Sequence, residues 1–361
     1  EEVKNYMKIL MVGNESRGFH LQCFSYELNK LGVESKVIVD TEYIEKTLSL
    51  DFRSKKSKKK MIKEILEEFN PDAVILDRIS GIAKIFLDEN IPLLLLLRGN
   101  YWEEVRWAKQ TNEKSDLKFL SFYKNKKLAD RIFNEATLIL PISEYLKNEL
   151  KERYPKTKCE VLYADGRKIS DWTHEIDKNF VHPCVGLVQG FGIWGKTKEL
   201  ETLQDVMKKL PHVTFYLAGD GIYRKKIIPK LEKFENFVWL GNEYYPMYPK
   251  KIKKLFSSID IYLLLSGLEG LGQSIIESMI MKKPVIASNV GGIPEIVKDS
   301  ETGFLVDLGD SERIVFLINE LFSKPKIVEE ITKNAKKNME KFSWEIIAKK
   351  FLEILEKHKI K

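Results

Sequence analysis

The chain has 361 residues, 43% hydrophobic and 31% charged, with a formal net charge of +7. That length suits two domains better than one core, and the balance is that of a globular chain rather than a disordered one. No apolar run reaches the ~18–20 residues that would span a bilayer, and Glu1-Glu2-Val3-Lys4 carries no signal-peptide pattern. Cys23, Cys159 and Cys184 are an odd count without metal-ligand spacing, so they read as reduced thiols of a cytoplasmic protein. The five histidines form no HxxxH or HxxH pair and no DxD motif stands on a loop, so a metal centre is not expected.

The first half alternates strands and helices. Lys8 to Gly13 reads as a strand ending in glycine, Phe19 to Leu31 as a helix stopped at Gly32, and Ser35 to Val39 as the next strand. An amphipathic helix over Met61 to Phe69 ends at Asn70-Pro71. Strands follow at Asp72 to Asp77, Pro92 to Leu97 and Thr137 to Pro141. Ser143 caps a helix running to Tyr154, and Cys159 to Tyr163 is a last short strand. After a polar stretch, Asp165 to Asn179, the alternation restarts. Strands are expected at Val185 to Gln189, Val213 to Ala218, Phe237 to Gly241, Ile259 to Leu265, Pro284 to Ser288 and Phe304 to Val306. Helices are expected over Lys198 to Leu210 and Ser274 to Met281. A final amphipathic helix, about Trp344 to Lys361, can belong to either half. Such alternation predicts two parallel sheets covered by helices, with domains over 1–170 and 171–343 and the closing helix over 344–361.

Arg53 to Lys63 holds seven positive charges and no negative one. Such a run is ordinarily a solvated loop or helix end. The sharper reading is an anionic membrane surface, since each basic residue near one contributes ~1 kcal/mol. The basic-aromatic stretch from Phe119 to Lys127 suits the same headgroup boundary. Nucleic acid is not expected as a partner, because no nucleic-acid module accompanies these runs. His182 and His212 stand beside prolines near strand starts and read as structural.

Open α/β sheets bind ligands beyond the carboxyl ends of their strands. The most informative such segment is Ser266-Gly-Leu-Glu269-Gly-Leu-Gly272-Gln-Ser-Ile-Ile-Glu277. It follows an apolar strand and opens a helix. Gly270 and Gly272 remove side chains where a ligand approaches the backbone, and a helix start offers N–H groups to a diphosphate. Glu269, before the helix, and Glu277, in what reads as its first turn, would repel phosphate and suit sugar hydroxyls instead. A plainer alternative is that Ser274-x-x-Glu277 is a capping box.

The Glu269-x7-Glu277 segment resembles the signature of the retaining GT-B-fold glycosyltransferases, the family of sucrose-phosphate synthases, lipopolysaccharide glycosyltransferases and phosphatidylinositol mannosyltransferases. The likeness continues through Lys283 to Val297 and Glu301 to Val306, and back through Ala218 to Gly221, Leu240-Gly241 and Lys198 to Leu203. It is looser in the first half, at Leu138 to Leu150 and Val161 to Gly166. The resemblance implies two Rossmann-like domains facing across a cleft. It gives Glu277 to the nucleotide ribose, Glu269 to the donor sugar, and Lys198 to phosphate. Gly270, Leu271, Gly272 and Gln273 then face the sugar and diphosphate, Gly241 and Asn242 lie by the base, and Gly219 shapes the nucleotide pocket.

Three departures stand out. Ile193 occupies the position of a family arginine, for which Lys196 is the substitute at hand, though lysine lacks the bidentate fork. The paired glycines of the first amino-terminal loop are Glu15-Ser16, with only Gly18 kept. Arg98 stands near where many members have a histidine, either reaching the cleft as a catalytic cation or pairing with Glu103 or Glu104. The implied reaction is front-face transfer from a nucleotide diphosphate sugar to a sugar or lipid-linked acceptor, without metal or other cofactor, in the cytoplasm or at the inner membrane face. The missing arginine leaves open a non-catalytic nucleotide-sugar binder, and a sugar-nucleotide epimerase of the same fold is a further alternative, for which the loops offer no acid–base residues.

Overall fold

The computed structural model describes residues 7–14, 17–39, 52–111, 116–241 and 250–360, with side chains left out at 52–58, 111, 116–125 and 250. The chain forms two compact units. The first comprises 1–98, 114–167 and 342–361, and the second 99–113 and 168–341. The break at 167/168 lies three residues before the one read from composition, the closing helix belongs to the first unit, and 99–113 joins the second.

The first unit is built on five parallel strands: β1 (Lys8–Gly13), β2 (Glu34–Val39), β3 (Ala73–Asp77), β4 (Leu93–Leu97) and β5 (Leu138–Pro141), in the order β2-β1-β3-β4-β5. β3, β4 and β5 are buried along their whole length, as expected where helices cover both faces. Ser143 caps the helix Glu144–Arg153 by accepting from the Leu146 N–H. The closing helix Trp344–Lys357 packs on Gly18–Lys30. Phe24 stacks on Trp344 and meets Phe351 edge-on, each at 5.4 Å between ring centroids. Gly166 leaves room for the Trp344 ring, which a Cβ there would overlap.

The second unit holds six parallel strands: β6 (Cys184–Val188), β7 (Thr214–Ala218), β8 (Phe237–Gly241), β9 (Ile261–Leu264), β10 (Val285–Ser288) and β11 (Phe304–Val306). Their order is β11-β10-β9-β6-β7-β8. The chain therefore winds outward from β6 to β8, then returns to β9 on the other side of β6. The reversal leaves a crevice at the carboxyl ends of β6 and β9, the place where such sheets take ligands. Among the described residues no helix is long and apolar enough to cross a membrane.

Three expected elements differ. Cys159 to Tyr163 is not a strand. It makes one bridge, from Cys159 to Ile139, and then runs beside β5 with backbone bonds from Glu160 N–H to Ile139 and from Leu162 N–H to Pro141. The helix expected over Lys198 to Leu210 is broken into Trp194–Thr197, a tighter 3₁₀ stretch Lys198–Thr202, and Leu203–Lys209. The helix expected from Met61 begins nine residues earlier, at Phe52, so the basic run is helical. The side chains of Lys55, Lys56 and Lys58 lie outside the described residues, while Lys59 and Lys60 are exposed.

Candidate functional site

The site is assembled from five loops at the carboxyl ends of strands β6 to β10 in the second unit. After β9 the chain turns through Ser266, whose hydroxyl donates to Glu269 Oε1 at 3.0 Å. Gly270, Leu271 and Gly272 are buried. Gly272, at φ +102°, is the residue before the helix Gln273–Ile280 and adopts a left-handed conformation that favours glycine. The capping-box alternative does not hold, because Gly272 occupies the cap position. The Ser274 hydroxyl instead accepts from Tyr262 Oη at 2.6 Å. Glu277 is buried and sits in the second helical turn, not the first. Burial pushes the Tyr262 hydroxyl far above its ordinary range, and the Glu277 and Glu269 carboxylates push it the same way.

Glycines let the loops lie backbone against backbone. A Cβ at Gly291 would overlap the Glu269 carbonyl oxygen, and one at Gly292 the Gly270 carbonyl oxygen. A Cβ at Gly219 would overlap the Gln189 carbonyl oxygen, and one at Gly221 the Phe191 carbonyl carbon. The Gly219 N–H donates to the Gly241 carbonyl at 2.8 Å, and Trp239 Nε1 donates to the Gly219 carbonyl at 2.9 Å, which ties the β7 and β8 loops together. Asn242 lies outside the described residues.

The cations come from the loop after β6. Lys196 Nζ donates to Glu269 Oε2 at 3.3 Å, and its backbone carbonyl accepts from the buried Gln189 side chain at 2.8 Å. Lys198 pairs with Glu199 at 3.5 Å, and its ammonium lies 5.3 Å from the centre of the Trp107 ring. Trp107, on the helix Tyr101–Thr111, fits against Gly195, where a Cβ would overlap its indole. Neither Gln189 nor Trp107 was legible as a site residue. A tryptophan in an amphipathic helix carries no positional signal until Gly195 is seen to make room for it.

Glu269, Lys196, Gly270, Leu271, Gly272, Gln273 and Glu277 therefore belong to one neighbourhood, with Lys198, Gly219 and Gly241 on adjoining loops of the same unit. Arg98 and Gly18 belong to the first unit. Gly18 opens the helix Gly18–Lys30. Arg98 does not pair with Glu103 or Glu104. Its Nε donates to Asp77, and its Nη1 donates to Asp165 and, at 2.7 Å, to the Ala164 carbonyl. Arg17 joins the same cluster, 3.2 Å from Asp77 and 3.1 Å from Asp165. Alone, burial would raise the Asp165 carboxyl, but Arg98, Arg17 and Arg167 outweigh it and hold the group below its ordinary range.

Residues 192–338 match the family model described as Glycosyl transferases group 1. Over 161 residues, 44% of this chain, it is 34% identical to sulfoquinovosyl transferase SQD2 of Arabidopsis thaliana, across 31% of that protein. It is 31% identical to the uncharacterized glycosyltransferase MJ1178 of Methanocaldococcus jannaschii, over 57% of this chain and 56% of that one. The chain thus spans about a third to a half of the length of these relatives. Both units share their fold with solved structures. Sucrose-phosphate synthase from Thermosynechococcus elongatus superposes with a TM-score of 0.76 at 16% identity, over 97% of this chain and 98% of that one. Anabaena Alr3699/HepE in complex with UDP and glucose gives 0.72 at 18% identity, over 98% and 100%. The fold class is the α/β, doubly Rossmann-like GT-B class that the Glu-x7-Glu segment implied.

Proposed function

We propose that the chain is a retaining glycosyltransferase whose second unit holds a nucleotide diphosphate sugar, with UDP-sugars as the first donors to try. The observation that carries this is the Lys196–Glu269 pair set beside the glycine-lined start of the Glu277 helix, at the reversal point of a parallel sheet. A cation and a hydroxyl-binding carboxylate 3.3 Å apart suit the junction of a diphosphate and a sugar. The structures of HepE with UDP and glucose support the choice of donor by analogy of fold.

The acceptor oxygen attacks the anomeric carbon on the face from which the diphosphate leaves. The sugar–phosphate bond breaks, the new glycosidic bond forms, and the acceptor proton passes to the departing diphosphate. Lys196 and Lys198 stabilise the negative charge that grows there, in place of a metal, and Glu269 orients the sugar. The non-catalytic alternative is motivated by Ile193, which brings no charge where the family has arginine. Measurable transfer from a UDP-sugar excludes it.

Glu277→Ala tests the donor site. A carboxylate that accepts hydrogen bonds from a ribose diol is worth ~1.5–3 kcal/mol, so UDP affinity by calorimetry should fall ~10–150-fold. Unchanged affinity in a folded variant would remove Glu277 from the site.

A lipid-linked acceptor is the reading that the basic helix Phe52–Phe69 supports. It requires that the protein co-sediment with anionic vesicles at low salt. Binding should weaken as salt shortens the reach of charge to ~8 Å, and neutralising Lys55, Lys56, Lys58, Lys59 and Lys60 together should abolish it. No sedimentation of the wild type at low salt would point to a soluble acceptor.

A further inference from the structure

The amino-terminal edge of the second sheet carries a group of side chains that donor binding does not use. His182 and Cys184 flank Pro183 at the start of β6, and Asp260 immediately precedes β9, the neighbour of β6 across the reversal point. His182 Nδ1 lies 2.8 Å from Asp260 Oδ2 and 3.5 Å from Cys184 Sγ. One donor atom from each of the three falls within 4.8 Å of the others. The Cys184 backbone N–H also donates to Asp260 Oδ2 at 2.8 Å, which fixes the carboxylate beside the thiol.

We propose that His182, Cys184 and Asp260 bind a zinc ion, or another borderline transition-metal dication, through three protein ligands with a fourth position open to water. Imidazole, thiolate and carboxylate are the donor set that zinc prefers. With Zn–N of ~2.0–2.1 Å and Zn–S of ~2.3 Å, tetrahedral angles set nitrogen and sulfur ~3.5 Å apart. That is the separation found between His182 and Cys184. The nitrogen–oxygen edge would open from its present 2.8 Å to ~3.3 Å, which is within reach because the His182 and Asp260 side chains are 48% and 36% exposed. On binding, the Cys184 S–H bond breaks, the sulfur–metal bond forms and the proton leaves to solvent. Thiolate plus carboxylate neutralises the dication, and the nearby Lys283 ammonium stays engaged by the Ser257 carbonyl at 3.1 Å.

The site lies at the opposite end of β6 from Gln189, ~17 Å away at the rise of a parallel strand. Its role is therefore to staple the sheet rather than to assist transfer. The ladder it would reinforce, between β6 and β9, registers two residue pairs, against five between β6 and β7. Asp260 follows Cys184 by 76 residues, so no local spacing announces the site and the sequence reading sets metal aside.

Cobalt titration of the full chain, stripped with chelator, tests this. Equimolar cobalt should give a thiolate-to-metal charge-transfer band in the near ultraviolet, which zinc then displaces. Zinc should raise the melting temperature, and UDP affinity should be the same with and without it. Cys184→Ser should lose the band and bind zinc more than ~10-fold more weakly. If that variant fails to fold, His182→Ala decides, because its side chain is half exposed: loss of the zinc-induced shift supports the site. No charge-transfer band in the wild type, a band that survives Cys184→Ser, or an undiminished zinc shift in His182→Ala would each overturn it.

Discussion

Asp165→Ala is expected to destabilise the first unit by about 3–5 kcal/mol, the range for removing one partner from a buried ion network. The Asp165 side chain is fully buried, and it accepts from both Arg17 and Arg98. With it gone, Arg17 and Arg98 lose a shared carboxylate and keep their bonds to Asp77, in a place where the side chains are buried. Scanning calorimetry checks the magnitude, and a loss below ~1 kcal/mol would mean that solvent reaches the arginines after all. The pH dependence gives a second reading. Asp165 is held below its ordinary range when folded, so the unfolded chain binds its proton more readily. Its stabilisation is therefore complete above the unfolded value of ~3.9 and is lost as pH falls below that toward the folded value. The alanine variant should lack this part of the acid loss.

The same cluster shows where reading the sequence stops. Asp77 and Arg98 each follow an apolar strand by pattern, which is enough to place them near the carboxyl ends of β3 and β4. Nothing local says that they face each other, because Arg17 and Asp165 come from positions 148 residues apart and only the winding of the first sheet joins them. Arg98, read as a cation near the cleft, is bound in the structure to Asp77 and Asp165. By contrast, the order of strand, glycine loop and helix through Glu269 to Glu277 was legible, because the three follow each other without interruption. What was not legible there concerns contacts across the chain. Ser274 looked like a cap only while Tyr262, twelve residues earlier on β9, was out of sight. The segment 99–113 read as part of the first half, yet Trp107 docks against Gly195 and Lys198 in the second unit.

Gly291→Ala should be far more damaging than Gly309→Ala, although both glycines have left-handed backbones, at φ +57° and +76°. The conformational penalty of an L-residue there is ~1–2 kcal/mol and applies equally to both. Gly309 has open space around a Cβ, so its variant should lose about that much and keep its donor affinity. At Gly291 the added carbon would overlap the Glu269 carbonyl oxygen, which is backbone and cannot rotate away. Either the turn that begins at Gly291 or the loop carrying Glu269 and Gly270 must move. The Gly292 N–H donates to that same Glu269 carbonyl at 3.2 Å, so movement of either also strains a hydrogen bond that joins the two loops. Overpacking against rigid neighbours adds ~1–3 kcal/mol to the backbone strain. Under the role proposed for Glu269, a displacement of ~1 Å there should lower turnover ~100-fold. Melting temperatures and transfer rates of the two variants, measured side by side, separate strain from overlap. Equal losses in both would show that the Glu269 loop yields freely to the added carbon.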